Sequence, residues 1–585
     1  MSKNRRGTLM SKKFFSMLFG GTLTYMVVSM LLMSDQVIAG FTIGSDAVAG
    51  ITMVTPVYSL AAFFASVISQ GVPILYSTEM GKFNKEKADQ VFGLGILMAL
   101  VVGVVMFAAI CLFGNAYLRS SSLSAEILAQ ATGYLSWMRF TILVMPIQML
   151  IGAAVYYDGD ESISNIANVV QGIGNIVFSV ILSRYMGIRG IGLASFLFNV
   201  ISLVVFMCHF MKKSNSLRLN VFFSFGMLKD VARYSIIDSS SYLFLAVFTA
   251  ALNFFVTSHY GSEYLILVSA ITLSREFQLL FEGIGEAVGP IFSVYVGEKS
   301  REGLRSIYSL ANKTAITEGI IVTIVLIIIA PAVPSVLDVT DPELVHWVVM
   351  GVSMTALGAA FVSLLYLLTS YYMVIEQIAL GLAACAMRDV IFSVSLVFVL
   401  GGIWGKFGMF MGLAAAPAIA YAILIIYIVV RYGREDCPLL LSKLSGSGGS
   451  YLFNLLTEPE EIIGMQGKIG SLLKEHNVDK KTINRVSILI EEMYLIILKM
   501  NDDKPVLAEC TVFLKPDGVQ IISKDEGVSF DMSDDDISTV SLSAYIVASY
   551  LEKRDFGSRH LTTMSFNRSS FFIKYDEGET NSPAV

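Results

Sequence analysis

The chain has 585 residues, of which 55% are hydrophobic and only 15% are charged. Soluble proteins carry about 25% charged residues, so this composition excludes an ordinary soluble protein and predicts one embedded in a lipid bilayer. The formal net charge of −6 is small for this length and favours no nucleic-acid partner.

Apolar segments follow one another from residue 14 to residue 431. A membrane-spanning helix needs about 20 predominantly apolar residues, and about twelve segments meet this requirement. Their predicted bounds are 14–39, 48–76, 90–113, 131–156, 163–186, 189–211, 233–258, 263–295, 314–337, 344–370, 377–403 and 408–431. Basic residues gather in loops after an even number of spans, and Lys and Arg are retained on the cytoplasmic side. We therefore predict a multi-pass protein of the plasma (inner) membrane with both termini in the cytoplasm.

The two halves of this membrane region repeat each other. The segment STEMGKFNKEKADQVFG, from Ser77, aligns without a gap with SVYVGEKSREGLRSIYS, from Ser293. Two further matches occur in the same order, between Tyr156-Tyr157 and Tyr371-Tyr372 and between 175–182 and 389–396. The halves keep the same orientation, as in transporters that rock one half against the other. This predicts an all-α transporter with two six-helix lobes, at 1–222 and 223–435.

The character of the chain changes after residue 435. The Gly/Ser-rich segment LSKLSGSGGS predicts a flexible linker at 436–450. Periodicity predicts strands at 451–457, 505–514, 517–523, 559–566 and 569–575, and helices at 459–476, 480–500 and 541–553. We therefore predict a cytoplasmic α/β two-layer sandwich at 451–576 and a disordered tail at 577–585.

Ionisable residues inside membrane spans are costly, and each is a candidate for ion or substrate binding. The candidates are Asp35, Asp238, Arg275, Glu276, Glu282, Glu286, Arg388 and Asp389. Glu282 and Glu286 are one helical turn apart and share a helix face. Together with Arg275 and Glu276 they predict a paired internal network or a cation site, and interhelical packing or a water-lined surface is the alternative.

The segment SDQVIAGFTIGSDAVAG, from Ser34, resembles the first-helix signature of the multidrug and toxic-compound extrusion (MATE) family. The signature is an Asp followed by an apolar turn, a Gly, and then small residues that open the second helix. The matching residues are Asp35, Gly40, Gly44, Ala47 and Ala49. The resemblance covers about residues 10–432, and the repeated loop, the segment GDES at 159–162 and Asn175 are also similar to the family.

This resemblance implies a central cavity between the lobes and export of amphipathic, often cationic, small molecules in exchange for H⁺ or Na⁺. In some members a first-helix Asp is the ion-sensitive carboxylate, which implies that Asp35 binds the coupling ion with help from Asn175. The family often has an Asp four residues after this Asn, where the chain has Ser179. Arg388 matches a basic residue that members often carry in the eleventh span. We expect no cofactor besides the coupling ion.

Residues 450–576 resemble histidine-kinase-type (GHKL) ATPase domains, in particular the anti-sigma-factor kinases. In IEEMYLIILKMN, Glu492 takes the place of the carboxylate that orients the attacking group. In KDEGVSFDM, Asp525, Gly527 and Phe530 match a D-x-G-x-x-F box, in which the Asp accepts the adenine amino group and the Gly admits the ring. The resemblance implies an adenine-nucleotide site at these residues.

Two departures from that family predict that ATP is not hydrolysed. Ile496 stands where the family has a Mg²⁺-binding Asn, and the residues from Ser541 to Ser543 replace the glycine-rich turn that approaches the phosphates. Because phosphoryl transfer depends on electrostatic stabilisation, we expect a catalytically inactive regulatory module. Residual nucleotide binding through Asp525 and a cytoplasmic protein partner stay open.

Two other functions also stay open. A lipid-linked oligosaccharide flippase of the same superfamily would share the fold, and a strongly cationic cavity would favour it. A membrane sensor would bind a ligand in the transporter-like part and signal through the C-terminal domain. Neither the substrate nor the coupling ion follows from the sequence.

Overall fold

The computed structural model describes residues 8–81, 84–213, 215–220, 222–435, 437–441, 449–530, 553–560 and 565–575. Helices occupy most of the chain up to Tyr432. The first lobe contains α1 (Leu9–Thr42), α2 (Ser45–Gly81), α3 (Lys85–Ser120), α4 (Ala125–Tyr157), α5 (Glu161–Met186) and α6 (Ile188–Met207). The second contains α7 (Phe225–His259), α8 (Leu265–Glu276), α9 (Glu282–Glu298), α10 (Arg301–Ile329), α11 (Val333–Val336), α12 (Pro342–Ala356), α13 (Ala359–Val374), α14 (Ile378–Ala386) and α15 (Phe392–Tyr432).

Among the described residues, ten helices are long and apolar enough to cross a membrane, or eleven if the bent pair α12 and α13 is one span. The sequence predicts about twelve, and the difference between eleven and twelve arises at Ile378–Tyr432, a helical stretch of 55 residues that covers two predicted spans. A straight helix of that length would measure roughly 80 Å, whereas the bilayer core is about 30 Å thick. Its backbone breaks at Trp404 and Gly405, where Gly405 has a φ of 61° that favours glycine. The predicted division between 403 and 408 falls at this break.

The internal repeat corresponds to the same local structure in both lobes. The Asn84 side chain accepts a hydrogen bond from the backbone N–H of Lys87 at the start of α3 (3.2 Å). Ser300, at the aligned position, accepts one from the N–H of Gly303 at the start of α10 (3.2 Å). Such side chains satisfy a backbone N–H that has no partner inside the helix. Both aligned residues are therefore helix N-caps.

Two interruptions divide helices of the second lobe. A 3₁₀ turn at Phe277–Phe281 separates α8 from α9, where the sequence predicts one continuous span. A π-helical turn at Met387–Ile391 lies between α14 and α15. Interruptions of both kinds are frequent at hinges and functional sites. Each carries or adjoins ionisable residues that the sequence selects as candidates.

The lobes pack together along α2 and α7, where Ser239 donates to Ser66 (3.1 Å). Further polar contacts join them at the end of the membrane region where α1 ends, which we call the far side. The backbone N–H of Ser124 donates to Ser262 Oγ (3.0 Å). The hydroxyl oxygens of Thr52 and Ser269 lie 2.5 Å apart, and the Asn253 amide donates to the Thr52 carbonyl (3.0 Å). The opposite end, where α1 begins, is the domain side, because the C-terminal domain contacts it.

Helix α1 packs against both lobes. In its first half, Met10, Phe14 and Met17 belong to a core that is shared with α9 and α13. In its second half, Ile38 and Ala39 belong to a core shared with α2, α4 and the far-side part of the second lobe. Helix α1 belongs to the first lobe in the sequence, but it packs in the cores of both lobes.

The C-terminal domain is a sheet covered on one face by two helices. Its elements are β1 (Ser450–Leu456), α16 (Pro459–Glu475), α17 (Lys480–Met500), β2 (Leu507–Lys515), β3 (Gly518–Asp525), β4 (Lys553–His560) and β5 (Ser565–Lys574). All neighbouring strands are antiparallel, in the order β1-β2-β3-β5-β4. Cys510, Val512, Ile521 and Phe571 face the helices and form one core with them.

Three predictions for the C-terminal region can be compared with this structure. Strand β4 begins six residues before the predicted 559, because KRDFGSRH lacks the alternation that marks a strand in the sequence. The predicted helix at 541–553 lies outside the described residues except for Lys553, and the predicted tail at 577–585 lies wholly outside them.

Part of the predicted linker packs against the second lobe. The Tyr371 hydroxyl donates to the Leu439 carbonyl (2.6 Å) and the Tyr372 hydroxyl donates to the Pro438 carbonyl (3.2 Å). Leu440 is fully buried in the same core as α13. Residues 437–441 therefore extend the second lobe, and 442–448 lie outside the described residues.

Candidate functional site

The Asp35 carboxylate lies at the centre of a polar network inside the first lobe. Its Oδ2 accepts hydrogen bonds from the Tyr134 hydroxyl on α4 (2.6 Å) and the Ser195 hydroxyl on α6 (3.2 Å). The Asn175 amide on α5 donates to Ser195 Oγ (3.1 Å), and the Ser179 hydroxyl donates to Asn175 Oδ1 (2.9 Å). The structure thus brings the predicted pair Asp35 and Asn175 together through Ser195.

The second carboxylate oxygen of Asp35 has a different environment. Oδ1 is buried and has no hydrogen-bond partner among the described residues. A buried charged oxygen without a partner is costly, and a proton or a cation removes that cost. Asp35 therefore has one oxygen fixed by two hydroxyl donors and one available to an ion.

Helix α1 extends from this network to the second lobe. The Ser29 hydroxyl donates to the backbone carbonyl of Glu276 (2.7 Å), and the Tyr25 hydroxyl donates to Glu286 Oε1 (3.2 Å). Asp35 lies six residues beyond Ser29, which is about 9 Å along the helix axis. One helix therefore connects Asp35 with the backbone of Glu276 and the carboxylate of Glu286.

The second lobe contains a buried cluster of one carboxylate and two guanidinium groups. Arg388 donates to both carboxylate oxygens of Asp389 (2.9 and 2.8 Å), and Arg275 Nη2 donates to Asp389 Oδ1 (3.1 Å). Arg388 lies over the Tyr366 ring at 3.7 Å, and Arg275 lies over the Phe248 ring at 3.9 Å. Aromatic faces stabilise a cation in this geometry. The π-helical turn places Arg388 and Asp389 together in the interior.

The other candidate residues of the second lobe are not joined to the Arg–Asp cluster by the described contacts. Glu282 begins α9, one turn before Glu286, while Glu276 ends α8 on the other side of the 3₁₀ turn. The described contacts do not join the Glu286–Tyr25 pair to the Arg–Asp cluster, although Glu282 has an interaction that they do not identify. Asp238 lies in α7, and its side chain falls outside what the structure describes.

Glu318 on α10 is a buried carboxylate outside the candidates that the sequence pattern selects. Both of its carboxylate oxygens are buried without a hydrogen-bond partner among the described residues. The predicted span starts at 314, which makes Glu318 a residue near a helix end. Helix α10 instead begins at Arg301 and ends at Ile329, so Glu318 lies in its interior. Because the sequence places the start of this helix at 314 and not at Arg301, Glu318 does not stand out as a carboxylate in the helix interior.

The helix that resembles the ATPase motif is part of the domain core. Ile496 is buried among apolar residues of α16, α17 and the sheet. No side-chain oxygen or nitrogen is available at this position for a metal ion. Glu492, one turn earlier on α17, is only partly buried. Helix α17 packs in the domain core, and the position at which the resemblance would place a Mg²⁺ ligand is apolar.

The predicted adenine-binding residues contact one another. Asp525 Oδ1 accepts hydrogen bonds from the Gly527 N–H and the Asn567 amide (both 2.9 Å). The same amide also lies near the carbonyls of Gly527 (3.1 Å) and Val528 (3.0 Å). A Cβ on Gly527 would lie 2.4 Å from the Asn501 amide nitrogen. Burial raises the pKa of Asp525, and its hydrogen bonds with Asn567 and Gly527 oppose this.

Comparisons with known proteins agree with the architecture of the membrane region. Residues 22–181 match the MatE family model. A search of curated proteins finds no significant match. An inward-facing MATE transporter of the MOP superfamily is similar, with a TM-score of 0.65, 17% identity, and coverage of 71% of this chain and 95% of that chain.

Two other solved structures are also similar. An outward-facing MATE transporter of the MOP superfamily has a TM-score of 0.59 and 17% identity, with 75% of this chain and 97% of that chain covered. A MOP superfamily transporter from Pyrococcus furiosus, for which a reverse polarity of the binding pocket suggests a different function, has a TM-score of 0.59 and 16% identity, with 76% and 98% covered. These similarities show the fold. Together with the match at residues 22–181, they indicate that the membrane region of this chain is a multi-pass helical bundle with the fold of MATE transporters.

Proposed function

We propose that this protein is an ion-coupled antiporter that exports amphipathic, cationic small molecules across the plasma (inner) membrane, with H⁺ or Na⁺ as the coupling ion. The observation that carries the proposal is the Asp35 carboxylate, which has one buried oxygen without a partner. Such a group binds and releases an ion at low structural cost, because its other oxygen stays fixed by Tyr134 and Ser195. Basic loops on the domain side support cytoplasmic termini.

The charge balance of the second lobe supports a cationic substrate. Arg275 and Arg388 share Asp389, and four further acidic residues lie in the helices of the same lobe. These acidic residues are Glu276, Glu282, Glu286 and Glu318. A cation is attracted to such a surface and an anionic lipid-linked glycan is repelled. This balance favours cation export over the flippase alternative.

The test is uptake of ethidium by inverted membrane vesicles that contain the full-length protein. A pH gradient is imposed first and a Na⁺ gradient second, and each is then collapsed with the matching ionophore. We expect uptake to follow one gradient and to stop when that gradient collapses. The protein is checked to be monodisperse after extraction from the vesicles. If its ethidium uptake then equals that of protein-free vesicles under both gradients, ion-coupled cation export is rejected.

We also propose that the C-terminal domain is an inactive relative of GHKL ATPases that regulates the transporter. Ile496 offers no metal ligand, and Asp525 Oδ1 already accepts hydrogen bonds from Asn567 and Gly527. We expect the purified protein to release phosphate from Mg²⁺-ATP at the rate of its Glu492→Gln variant. A rate that is clearly higher in the unmodified protein, in a coupled phosphate assay, would show that catalysis persists.

A further inference from the structure

A cluster of charged side chains joins the C-terminal domain to the second lobe. Glu298, at the end of α9, forms ion pairs with Lys524 on β3 (2.6 Å) and with Arg568 on β5 (3.4 Å). Lys524 also pairs with Glu509 on β2 (2.9 Å), and the Tyr295 hydroxyl on α9 donates to Glu509 (2.6 Å). We call these five residues the Glu298 cluster.

Strand register explains why the cluster is continuous. Glu509 pairs with Lys524 across β2 and β3, and Lys524 pairs with Arg568 across β3 and β5. Because side chains alternate along a strand, these three residues share the sheet face opposite to the one that packs on α16 and α17. The α9 end covers this face, so Lys524 and Glu509 are almost fully buried.

The cluster is balanced in charge. Lys524 and Arg568 carry two positive charges, and Glu298 and Glu509 carry two negative ones. Burial alone would lower the pKa of Lys524, but the two carboxylates outweigh burial and hold that pKa above its ordinary value. A buried pair of this kind is strongly disfavoured when one partner is removed, because the remaining charge has no compensation. The cluster therefore holds the domain in one position on α9.

Two contacts beside the cluster extend the interface. The backbone N–H of Leu452, on the edge strand β1, donates to Glu302 Oε2 at the start of α10 (2.6 Å). Lys12 of α1 pairs with Glu526 (2.9 Å), but its side chain is 60% exposed, and such pairs contribute little. The sheet thus contacts α9, α10 and α1 on the domain side, with the buried cluster as the main anchor.

The anchored helix α9 is also the helix on which the first half of α1 packs. Gly21 of α1 lies against the backbone of Gly283, and a Cβ at Gly21 would lie 3.2 Å from the Gly283 Cα. The same helix α1 carries Asp35 and has its second half in the far-side core. A domain that fixes the position of α9 therefore acts on the helix that connects the two lobes.

We propose that the Glu298 cluster is a regulatory contact through which the docked C-terminal domain stabilises the conformer whose lobes are joined on the far side. The docked sheet contacts α1 at Lys12 as well as α9 and α10, so it binds best while α1 keeps its position on α9. A domain that binds one conformer better shifts the population toward that conformer. Release of the domain then favours opening of the far side. The inference rests on the proposed export function for its biological consequence, but it concerns a conformational equilibrium that exists without substrate.

The test measures docking and lobe separation in the full-length protein in lipid nanodiscs. Docking is followed by hydrogen exchange of residues 450–456, because the Leu452 amide donates to Glu302 only when the domain is docked. Lobe separation is followed by double electron–electron resonance between spin labels at the exposed far-side residues Ser120 and Thr340. The exposed native Cys111 and Cys208 are replaced by Ala in this background.

In the Lys524→Gln variant we expect faster exchange at 450–456 and an increase of about tenfold in the population with the longer label distance, a typical size for coupling between sites. Tyr295→Phe removes one hydrogen bond and no charge, so we expect a smaller change in the same direction. Lys515→Gln, at the end of β2 and outside the cluster, is the matched control and should change neither measurement. Exchange in α17 serves as the check that the domain stays folded.

Two results would overturn the proposal. If exchange at 450–456 rises while the distance distribution stays that of the unmodified protein, docking has no effect on the lobes. If neither measurement changes in Lys524→Gln, the cluster does not hold the domain. If the protein does not transport ethidium, but Lys524→Gln still changes both the hydrogen exchange and the label distance, only the export function is rejected. The two hypotheses therefore fail separately.

Discussion

The Asp35→Asn variant is expected to lose ion-driven ethidium uptake down to the level of protein-free vesicles. Asparagine has nearly the same shape and its carbonyl oxygen accepts hydrogen bonds from Tyr134 and Ser195, so the local packing should persist. It carries no negative charge at any pH, and the buried position of Oδ1 then has no group that binds H⁺ or Na⁺. The variant should therefore fold and bind substrate without coupling to either gradient.

The matched control is Asp46→Asn, because Asp46 is an exposed carboxylate at the start of α2, eleven residues along the same segment. We expect this variant to transport like the unmodified protein. Ethidium binding is measured separately by fluorescence polarisation, and it should be retained in both variants. Gradient-driven uptake by Asp35→Asn at the unmodified rate would show that another carboxylate, such as Glu318 or Glu286, couples the ion.

The Asp389→Asn variant is expected to lose about 3–5 kcal/mol of stability, the usual cost of removing one partner of a buried ion pair. Asp389 is the only carboxylate that the described contacts give to Arg275 and Arg388. Without it, two guanidinium groups remain close together in a low-dielectric interior. The shift is measured as a lower midpoint of unfolding in a dodecyl sulfate titration of the purified protein.

Two comparisons make this result specific. Glu343→Gln breaks the pair between the exposed Glu343 and Lys406 (2.6 Å), and it should change the unfolding midpoint little because water screens the Glu343 charge. Adding Arg275→Met to Asp389→Asn removes one uncompensated cation and should recover part of the loss. If Asp389→Asn costs no more than Glu343→Gln, the Arg–Asp cluster is open to water, and its geometry is not set by electrostatic pairing.

The sequence predicts the residues of the Asp35 network better than their contacts. Asp35 and Asn175 follow from their position in apolar spans and from the family signature. Tyr134 and Ser195 have no such signal, because Tyr and Ser are ordinary in membrane helices and their role depends on which helices meet. The hydroxyl that replaces the expected second Asp, at Ser179, takes part by supporting Asn175 instead.

The contact between the domain and the lobe could not be predicted from one sequence. Glu298 and Lys524 are 226 residues apart, and no local pattern joins them. One signal was available, because Glu509 and Lys524 are charged residues at the centres of otherwise apolar strands. Such residues are rarely buried unless they are paired. Lys524 directly precedes Asp525, and the D-x-G-x-x-F motif selects only Asp525 of these two residues.

The shared packing of α1 has a consequence for the order in which the chain folds. Tyr25 and Glu286 are separated by 261 residues, so α1 is complete on the order of tens of seconds before the ribosome has made α9. During that time Met10, Phe14 and Met17 lack the protein surface that later buries them. The first half of α1 therefore reaches its final packing only after α9 has been made.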